Sequence, residues 1–217
     1  MIKAILFGSI GTLIETSELQ RKAFNEAFKE ADLKWYWDEK DYKNLLKKSG
    51  GVKRIEEFAK KENTNVNASK IRSRKTELFN EYLDVEELRP RKGIEEVINY
   101  AKEKSIKLGF VTSTSINNIN AVFKTLKNFI QKENFDFIGN NNLIKKSKPD
   151  SEIYLKALKA LSLEASECIA IEDTEESVKS AVSANIKCIG FPGKYHELDS
   201  FNQCYIKLNE LDISIFK

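Results

Sequence analysis

The sequence predicts an α/β protein: a parallel, Rossmann-like sheet covered by helices, with a bundle of helices inserted after the first strand. Two patterns indicate it. The opening segment, residues 2–7, is an apolar run that stops at Gly8, which is typical of a buried strand. In the second half of the chain, apolar runs alternate with amphipathic stretches, as in a parallel sheet. We therefore expect one domain from residues 1–14 and 88–217 and a second from residues 15–87.

The segment that follows the first strand has a helical period. Apolar residues from Leu19 to Ala31 recur three and four positions apart, which predicts an amphipathic helix. Three more helical stretches come before the first proline, and no strand pattern separates them, so this segment is predicted to be a helical bundle. Those three helices are predicted at residues 39–48, 52–62 and 68–82.

After Arg89 and Pro90 the pattern changes, because proline restricts the residue before it and favours an element boundary. Helices and strands then alternate, and the order predicts a parallel sheet with helices on both faces. Helices are predicted at residues 94–103, 116–126, 151–161 and 175–184, and strands at residues 106–111, 135–138, 168–171 and 187–191.

Composition narrows the range of partners and compartments. The 217 residues include 36 basic and 33 acidic ones, a net charge of +3, and no basic stripe, so no nucleic-acid partner is expected. No apolar run approaches the roughly 20 residues of a membrane span, and the start lacks the features of a signal peptide. Cys168 and Cys188 lie in apolar runs and are expected to be buried, reduced thiols. These observations predict a cytoplasmic protein.

Residues with phosphate and metal chemistry follow the predicted strands. Since ligands bind beyond the carboxyl ends of parallel strands, these residues are expected to share one crevice. A threonine hydroxyl can donate to a phosphate oxygen, a lysine can supply charge, and carboxylates can hold magnesium. Each also has a structural interpretation, as a loop hydroxyl, a surface lysine or a helix cap. The residues are Thr112, Ser113, Lys148, Glu172 and Asp173.

Residues 7–13, with the sequence FGSIGTL, resemble the first motif of the haloacid dehalogenase superfamily of phosphatases and phosphomutases. Thr112 matches the second motif, Lys148-Pro149 the third and Glu172-Asp173 the fourth. The inserted helices resemble the cap of the β-phosphoglucomutase branch. Segments within residues 18–25, 35–38 and 49–55 resemble CbbY-type proteins more narrowly. The resemblance implies hydrolysis of sugar bisphosphates, such as xylulose bisphosphate, with Mg²⁺ as cofactor.

The first motif departs from the family pattern at the two positions that carry its chemistry. The resemblance implies an aspartate at position 8 that attacks phosphorus and binds magnesium, and a second at position 10 that protonates the leaving oxygen. Here these positions hold Gly8 and Ile10, which can neither attack nor transfer a proton. Ser9 is expected to point to the opposite face, because side chains alternate along a strand.

The inserted helices and the metal site depart from the pattern as well. Gln20 stands where related sequences carry histidine and Val52 where the CbbY-type pattern has lysine, while Arg54 remains to contact a substrate phosphate. Arg91 replaces a glycine of the family pattern. Without a carboxylate at position 8, Mg²⁺ binding is expected to be weak or absent, with Asp173 paired to a lysine instead.

Three hypotheses follow from these residues. The first is a phosphatase-like protein that has lost catalysis and binds a small phosphorylated metabolite, phosphate or sulfate, with Thr112, Lys148 and the backbone amides of residues 9–13 as the anion cradle. The second is an active phosphatase with altered chemistry. The third is a non-catalytic interaction protein with a vestigial site. Lys148 is also the lysine that is expected to pair with Asp173 in place of Mg²⁺.

Overall fold

The computed structural model describes residues 1–46 and 50–216. The chain forms two compact units. We call Met1–Glu15 together with Glu87–Lys217 the core unit and Thr16–Glu86 the helical unit. Each is described separately below.

The core unit contains a parallel sheet whose strand order is β3-β2-β1-β4-β5-β6. This confirms the predicted fold class. Every residue of the two central strands, β1 and β4, is buried, as expected of apolar strands covered on both faces. The strands are β1 (Ala4–Phe7), β2 (Lys107–Phe110), β3 (Phe137–Ile138), β4 (Cys168–Glu172), β5 (Lys187–Gly190) and β6 (Ile206–Lys207).

Helices make up the remaining regular structure, together with short 3₁₀ turns. Those of the core unit follow the strands and bury their apolar faces, as in β-α alternation generally. The helices are α1 (Ile10–Leu13), α2 (Ser17–Glu30), α3 (Glu39–Leu46), α4 (Gly51–Lys61), α5 (Ala68–Val85), α6 (Ile94–Glu103), α7 (Ile116–Thr125), α8 (Glu152–Leu161) and α9 (Glu175–Ser183).

The helical unit is built from α2 to α5 around an aromatic cluster. Trp37 is fully buried, and its ring centre lies 4.9 Å from that of Phe24 and 4.6 Å from that of Phe28. The backbone of Trp37 is fixed by the Asn25 side chain, whose amide oxygen accepts from the Trp37 amide at 2.8 Å. Phe24 and Phe28, which lie one turn apart on α2, therefore pack against Trp37 of the segment between α2 and α3 in the core of this unit.

One predicted helix and one predicted strand are shorter in the described residues than in the prediction. The helix predicted at 39–48 is Glu39–Leu46, and Lys47, Lys48 and the neighbouring Ser49 lie outside the described residues. The strand predicted at 135–138 is shortened to Phe137–Ile138. Phe135 is turned inward, with its ring 6.2 Å from that of Phe7.

Two elements had no sequence prediction, namely α1 and the edge strand β6. The first is a single turn and the second has two residues, both exposed, so neither carries a periodic pattern. Cys168 and Cys188 are buried free thiols, which confirms that prediction, and burial raises the pKa of Cys168 to about 11. Within the described ranges, no helix is long and apolar enough to cross a bilayer.

Candidate functional site

The carboxyl ends of three neighbouring strands meet at one edge of the sheet. The register places Phe7 of β1 opposite Phe110 of β2 and Ile171 of β4. The residues that follow these positions therefore emerge at the edge where ligands bind in parallel α/β folds. The register thus brings the residues predicted at the ends of these three strands to a common edge.

Lys148 reaches this edge from the segment that precedes α8. Its ammonium donates to the carbonyl oxygen of Gly8 and to Oε1 of Glu172, each at 2.5 Å. Only 8% of the Lys148 side chain is exposed, and none of the Glu172 side chain is. The predicted pairing of Lys148 with Asp173 is therefore wrong, because the neighbouring carboxylate of Glu172 is the one directed toward the end of β1.

Glu172 is a buried carboxyl group, and one of its two oxygens, Oε1, accepts two hydrogen bonds. In addition to Lys148, the buried hydroxyl of Tyr154 donates to Oε1 of Glu172 at 2.6 Å. The other oxygen, Oε2, is buried with no partner among the described residues. Burial raises the pKa of Glu172 to about 7, and the nearby Lys148 ammonium opposes that rise. Near neutral pH this group is divided between its charged and neutral forms.

The carboxylate of Glu172 occupies the space beside Gly8. A Cβ atom on residue 8 would overlap the carboxylate carbon and both oxygens of Glu172. Any longer side chain at position 8 would require Glu172 to move. The volume that an aspartate would take at this position is thus filled by a carboxyl group from β4.

Ser9 has a different position from the one expected. β1 ends at Phe7, so strand alternation stops there, and Ser9 instead caps α1 with its Oγ accepting from the Thr12 amide at 3.2 Å. The same hydroxyl donates to Oδ1 of Asp173 at 2.7 Å. The prediction that Ser9 points away from the site is therefore wrong, and Ser9 contacts one of the predicted site residues.

The second motif position is Thr112, which is 4% exposed. Its hydroxyl accepts from the amide of Thr114 at 3.2 Å, so it shapes the turn that follows β2. Ser113 lies between them and is half-buried. A threonine hydroxyl that accepts a backbone hydrogen bond keeps its own proton available for donation to an anion.

Arg91 connects the first-motif turn to the segment after β5. Its guanidinium donates to the carbonyl oxygens of Gly11 and Phe191, each at 2.9 Å, and of Pro192 at 2.6 Å. It also stacks over the Phe191 ring, 3.4 Å from its centre. Burial lowers the pKa of Arg91, and the charge of nearby Asp173 opposes that effect.

The helical unit contains the other two predicted residues. Gln20 is an amide bridge: its nitrogen donates to the Thr16 hydroxyl at 3.4 Å and its oxygen accepts from Lys75 at 2.8 Å. Arg54 donates through Nε to the carbonyl oxygen of Leu45 at 2.8 Å, so part of its guanidinium has a structural role.

Lys75, which sequence reasoning missed, is 2% exposed within the helical unit. Its ammonium lies 5.0 Å from the ring centre of Phe24 and 4.7 Å from that of Phe79. Burial places its pKa well below the ordinary value, and Arg72 and Arg54 lower it further. The sequence did contain a signal: Lys75 lies four residues after Ile71 and four residues before Phe79, so it falls on the apolar face of α5. Tyr154 was also missed as a contact of the site, because the sequence pattern of α8 shows it only as a buried residue of the apolar face.

The Mg²⁺ that the family resemblance implies does not fit these donors. Magnesium prefers near-octahedral oxygen coordination with one or two carboxylates and several waters. Here Oε1 of Glu172 is engaged by a lysine and a tyrosine, and Oδ1 of Asp173 accepts from Ser9. Among residues 1–46 and 50–216, no group of three or more acidic, histidine or cysteine side chains could hold a metal ion.

Comparison with known proteins places this site in a family. The model of the haloacid dehalogenase-like hydrolases matches residues 5–191. The chain therefore belongs to the haloacid dehalogenase-like hydrolase family. It is also similar to the protein CbbY of Cereibacter sphaeroides, with 35% identity over 204 residues that cover 93% of this chain and 89% of that protein.

Solved structures agree with this assignment. The fold is similar to that of CbbY from Rhodobacter sphaeroides in complex with phosphate, with a TM-score of 0.86, 33% identity, and coverage of 97% of this chain and 95% of that one. A mutant of the same CbbY in complex with xylulose-(1,5)bisphosphate gives a TM-score of 0.85 at the same identity and coverage.

Proposed function

We propose that this chain binds a small phosphorylated metabolite at the strand ends of the core unit and does not hydrolyse it. The observation that carries the proposal is at position 8. Gly8 has no nucleophile, and the carboxylate of Glu172 takes the space where one would begin. Ile10, two residues on, has no proton to transfer, and acid-base catalysis alone contributes about 10²–10⁴-fold in rate.

The remaining residues support anion binding. Lys148 has three N–H donors, of which two go to Gly8 and Glu172 in the described residues. Thr112, Ser113 and the backbone amides of residues 9–13 are the other proposed donors. The phosphate and the xylulose bisphosphate bound to CbbY support a phosphorylated ligand. Arg54 and Gln20 stay proposed ligand contacts of the helical unit, and a cytoplasmic location stays a prediction.

A paired binding and activity assay tests the proposal. Thermal unfolding is measured with inorganic phosphate for the wild type, Lys148→Ala and the control Lys146→Ala, whose side chain is 75% exposed. We expect phosphate to raise the Tm of the wild type and the control but not of Lys148→Ala, because a ligand that binds only the native state stabilises it. We expect no phosphate release from sugar phosphates with Mg²⁺.

Two results would contradict the proposal. Mg²⁺-dependent hydrolysis by the wild type that Lys148→Ala abolishes would show that the chain is an active phosphatase. The absence of any thermal shift with phosphate or sugar phosphates would instead favour the non-catalytic interaction protein with a vestigial site.

The contact between Ser9 and Asp173 favours a second candidate, the active phosphatase with altered chemistry. The Ser9 hydroxyl would attack phosphorus while its proton passes to Asp173, and the bond to the leaving alcohol would break as that oxygen takes the proton back. Water would then hydrolyse the phosphoserine. Hydrolysis that Ser9→Ala removes, with a phosphorylated Ser9 trapped by mass spectrometry, would establish this candidate over the first.

A further inference from the structure

Two protein cations lie beside the two carboxylates that the family resemblance assigns to a metal. We propose that the anion site of the core unit binds phosphate without a divalent cation, with Lys148 and Arg91 supplying the positive charge. This inference rests on the proposed function, since it specifies how a phosphorylated ligand is held. It follows from the disagreement between the donor set and Mg²⁺.

The surroundings of the Glu172 carboxylate disfavour a metal ion. This carboxylate is fully buried and accepts through Oε1 from Lys148 at 2.5 Å and from Tyr154 at 2.6 Å. Its other oxygen, Oε2, has no partner among the described residues and is buried beside Gly8, so a cation at Oε2 would meet one carboxylate oxygen of Glu172 with the Lys148 ammonium close by. A buried carboxylate that already has a cationic partner has little free energy to gain from a second one.

The surroundings of the Asp173 carboxylate disfavour a metal ion as well. Its Oδ1 accepts from the Ser9 hydroxyl at 2.7 Å, and its Oδ2 lies against Gly11, whose carbonyl oxygen accepts a hydrogen bond from Arg91. Arg91 is fixed by hydrogen bonds to Gly11, Phe191 and Pro192, so its charge is held in place by the backbone. Guanidinium groups keep their charge at every accessible pH, which makes Arg91 a permanent cation beside this carboxylate.

The charge balance explains why an anion is favoured over a metal. Two acidic groups, Glu172 and Asp173, lie near two basic ones, Lys148 and Arg91. These four groups together therefore carry no net negative charge with which to attract Mg²⁺. The site retains lysine and amide donors for a phosphate oxygen.

The decisive measurement uses the wild-type protein and two probes. Isothermal titration calorimetry measures binding of Mg²⁺ and Mn²⁺ alone, and thermal unfolding measures the effect of inorganic phosphate in EDTA and in MgCl₂. We expect no metal binding at millimolar concentrations and the same phosphate-induced Tm shift in both buffers. A shift that occurs only in MgCl₂ would overturn this inference while leaving the proposed function intact. No shift in either buffer would overturn both.

The substitution Glu172→Gln gives an independent test, with the exposed Glu103→Gln as control. At a site without a metal, removing this buried negative charge should tighten phosphate binding by at least about fivefold, because charges at a buried group interact more strongly than in bulk water. At a metal-dependent site the same change would weaken phosphate binding. If Glu172→Gln fails to fold, the comparison of EDTA with MgCl₂ on the wild type still decides.

Discussion

Each of the two units contains a charged residue with almost no exposed surface, and the surroundings of the two residues differ. These residues are Glu172 of the core unit, 0% exposed, and Lys75 of the helical unit, 2% exposed. Glu172 accepts hydrogen bonds from the Lys148 ammonium, which also donates to the carbonyl oxygen of Gly8, and from the Tyr154 hydroxyl. Lys75 faces a neutral amide, two aromatic rings and, further off, two more cations.

The comparison shows that a nearby opposite charge compensates Glu172, whereas the charged groups near Lys75 in the described residues are cations like itself. The pKa of Glu172 rises because of burial, but Lys148 restrains the rise, so the carboxyl remains partly ionised at neutral pH. The pKa of Lys75 falls because of burial, and Arg72 and Arg54 add to the fall. Removing a partner should therefore be costly in the core unit, whereas neutralising the charge itself should be favourable in the helical unit.

The largest effect is expected for Lys148→Ala. It leaves the Glu172 carboxylate buried without a cation, so the free energy of unfolding should fall by about 3–5 kcal/mol at pH 8. The loss should shrink at pH 5, where Glu172 is protonated. Urea unfolding at both pH values measures it, with Lys146→Ala as the control. An equal loss for both variants, or no change with pH, would show that Glu172 is not the group involved.

The substitution Gly8→Ala should cost about 1–3 kcal/mol, because its Cβ overlaps the Glu172 carboxylate and forces a well-packed group to move. The shorter side chain of Glu172→Asp should relieve the overlap, so the double variant Gly8→Ala/Glu172→Asp should lose less than the sum of the single losses. Additive losses in urea unfolding would mean that the two positions do not compete for space.

Glu172 should also give the core unit a pH dependence. Its pKa of about 7 in the folded chain lies above the ordinary 4.5, so the folded state binds more protons between these values. The free energy of unfolding should therefore fall as the pH rises from 4.5 to 7, by at most about 1.4 kcal/mol per pH unit. In Glu172→Gln this slope should be absent, and an unchanged slope would assign the titration to another group.

The smallest effect is expected for Lys75→Met, which replaces a buried cation by an apolar side chain of similar length. The free energy of unfolding should rise by about 1 kcal/mol at pH 7. Because the folded pKa of Lys75 lies below 10.5, the wild type should also gain stability as the pH rises toward 10.5. The variant should lack that gain, and a variant less stable than the wild type at pH 7 would contradict the comparison.

The sheet and the edge that carries the site were predictable from the sequence because β1 and β4 are apolar runs and their ends are marked by small or polar residues. The placement of Thr112 and Lys148 at this edge was predictable as well, because both follow or precede recognisable elements, while their role toward an anion stays a prediction. These features depend on local patterns, which a single sequence displays.

The direction of individual side chains was not predictable. No local pattern indicates that Glu172 fills the space beside Gly8, since that depends on two strands distant in sequence. Ser9 was misplaced because alternation was extended past Phe7, whereas the chain turns into α1 there. Lys75 could have been found, since it interrupts the apolar stripe of α5 at a buried position.

The central claim is that the chain binds a phosphorylated ligand at a site whose reaction has been lost at positions 8 and 10. The most direct test is phosphate release from a sugar bisphosphate, with Mg²⁺, by the wild type and by Gly8→Asp/Ile10→Asp. We predict no release above background for the wild type and Mg²⁺-dependent release for the double variant. Mg²⁺-dependent release by the wild type above background that Lys148→Ala abolishes would contradict the claim.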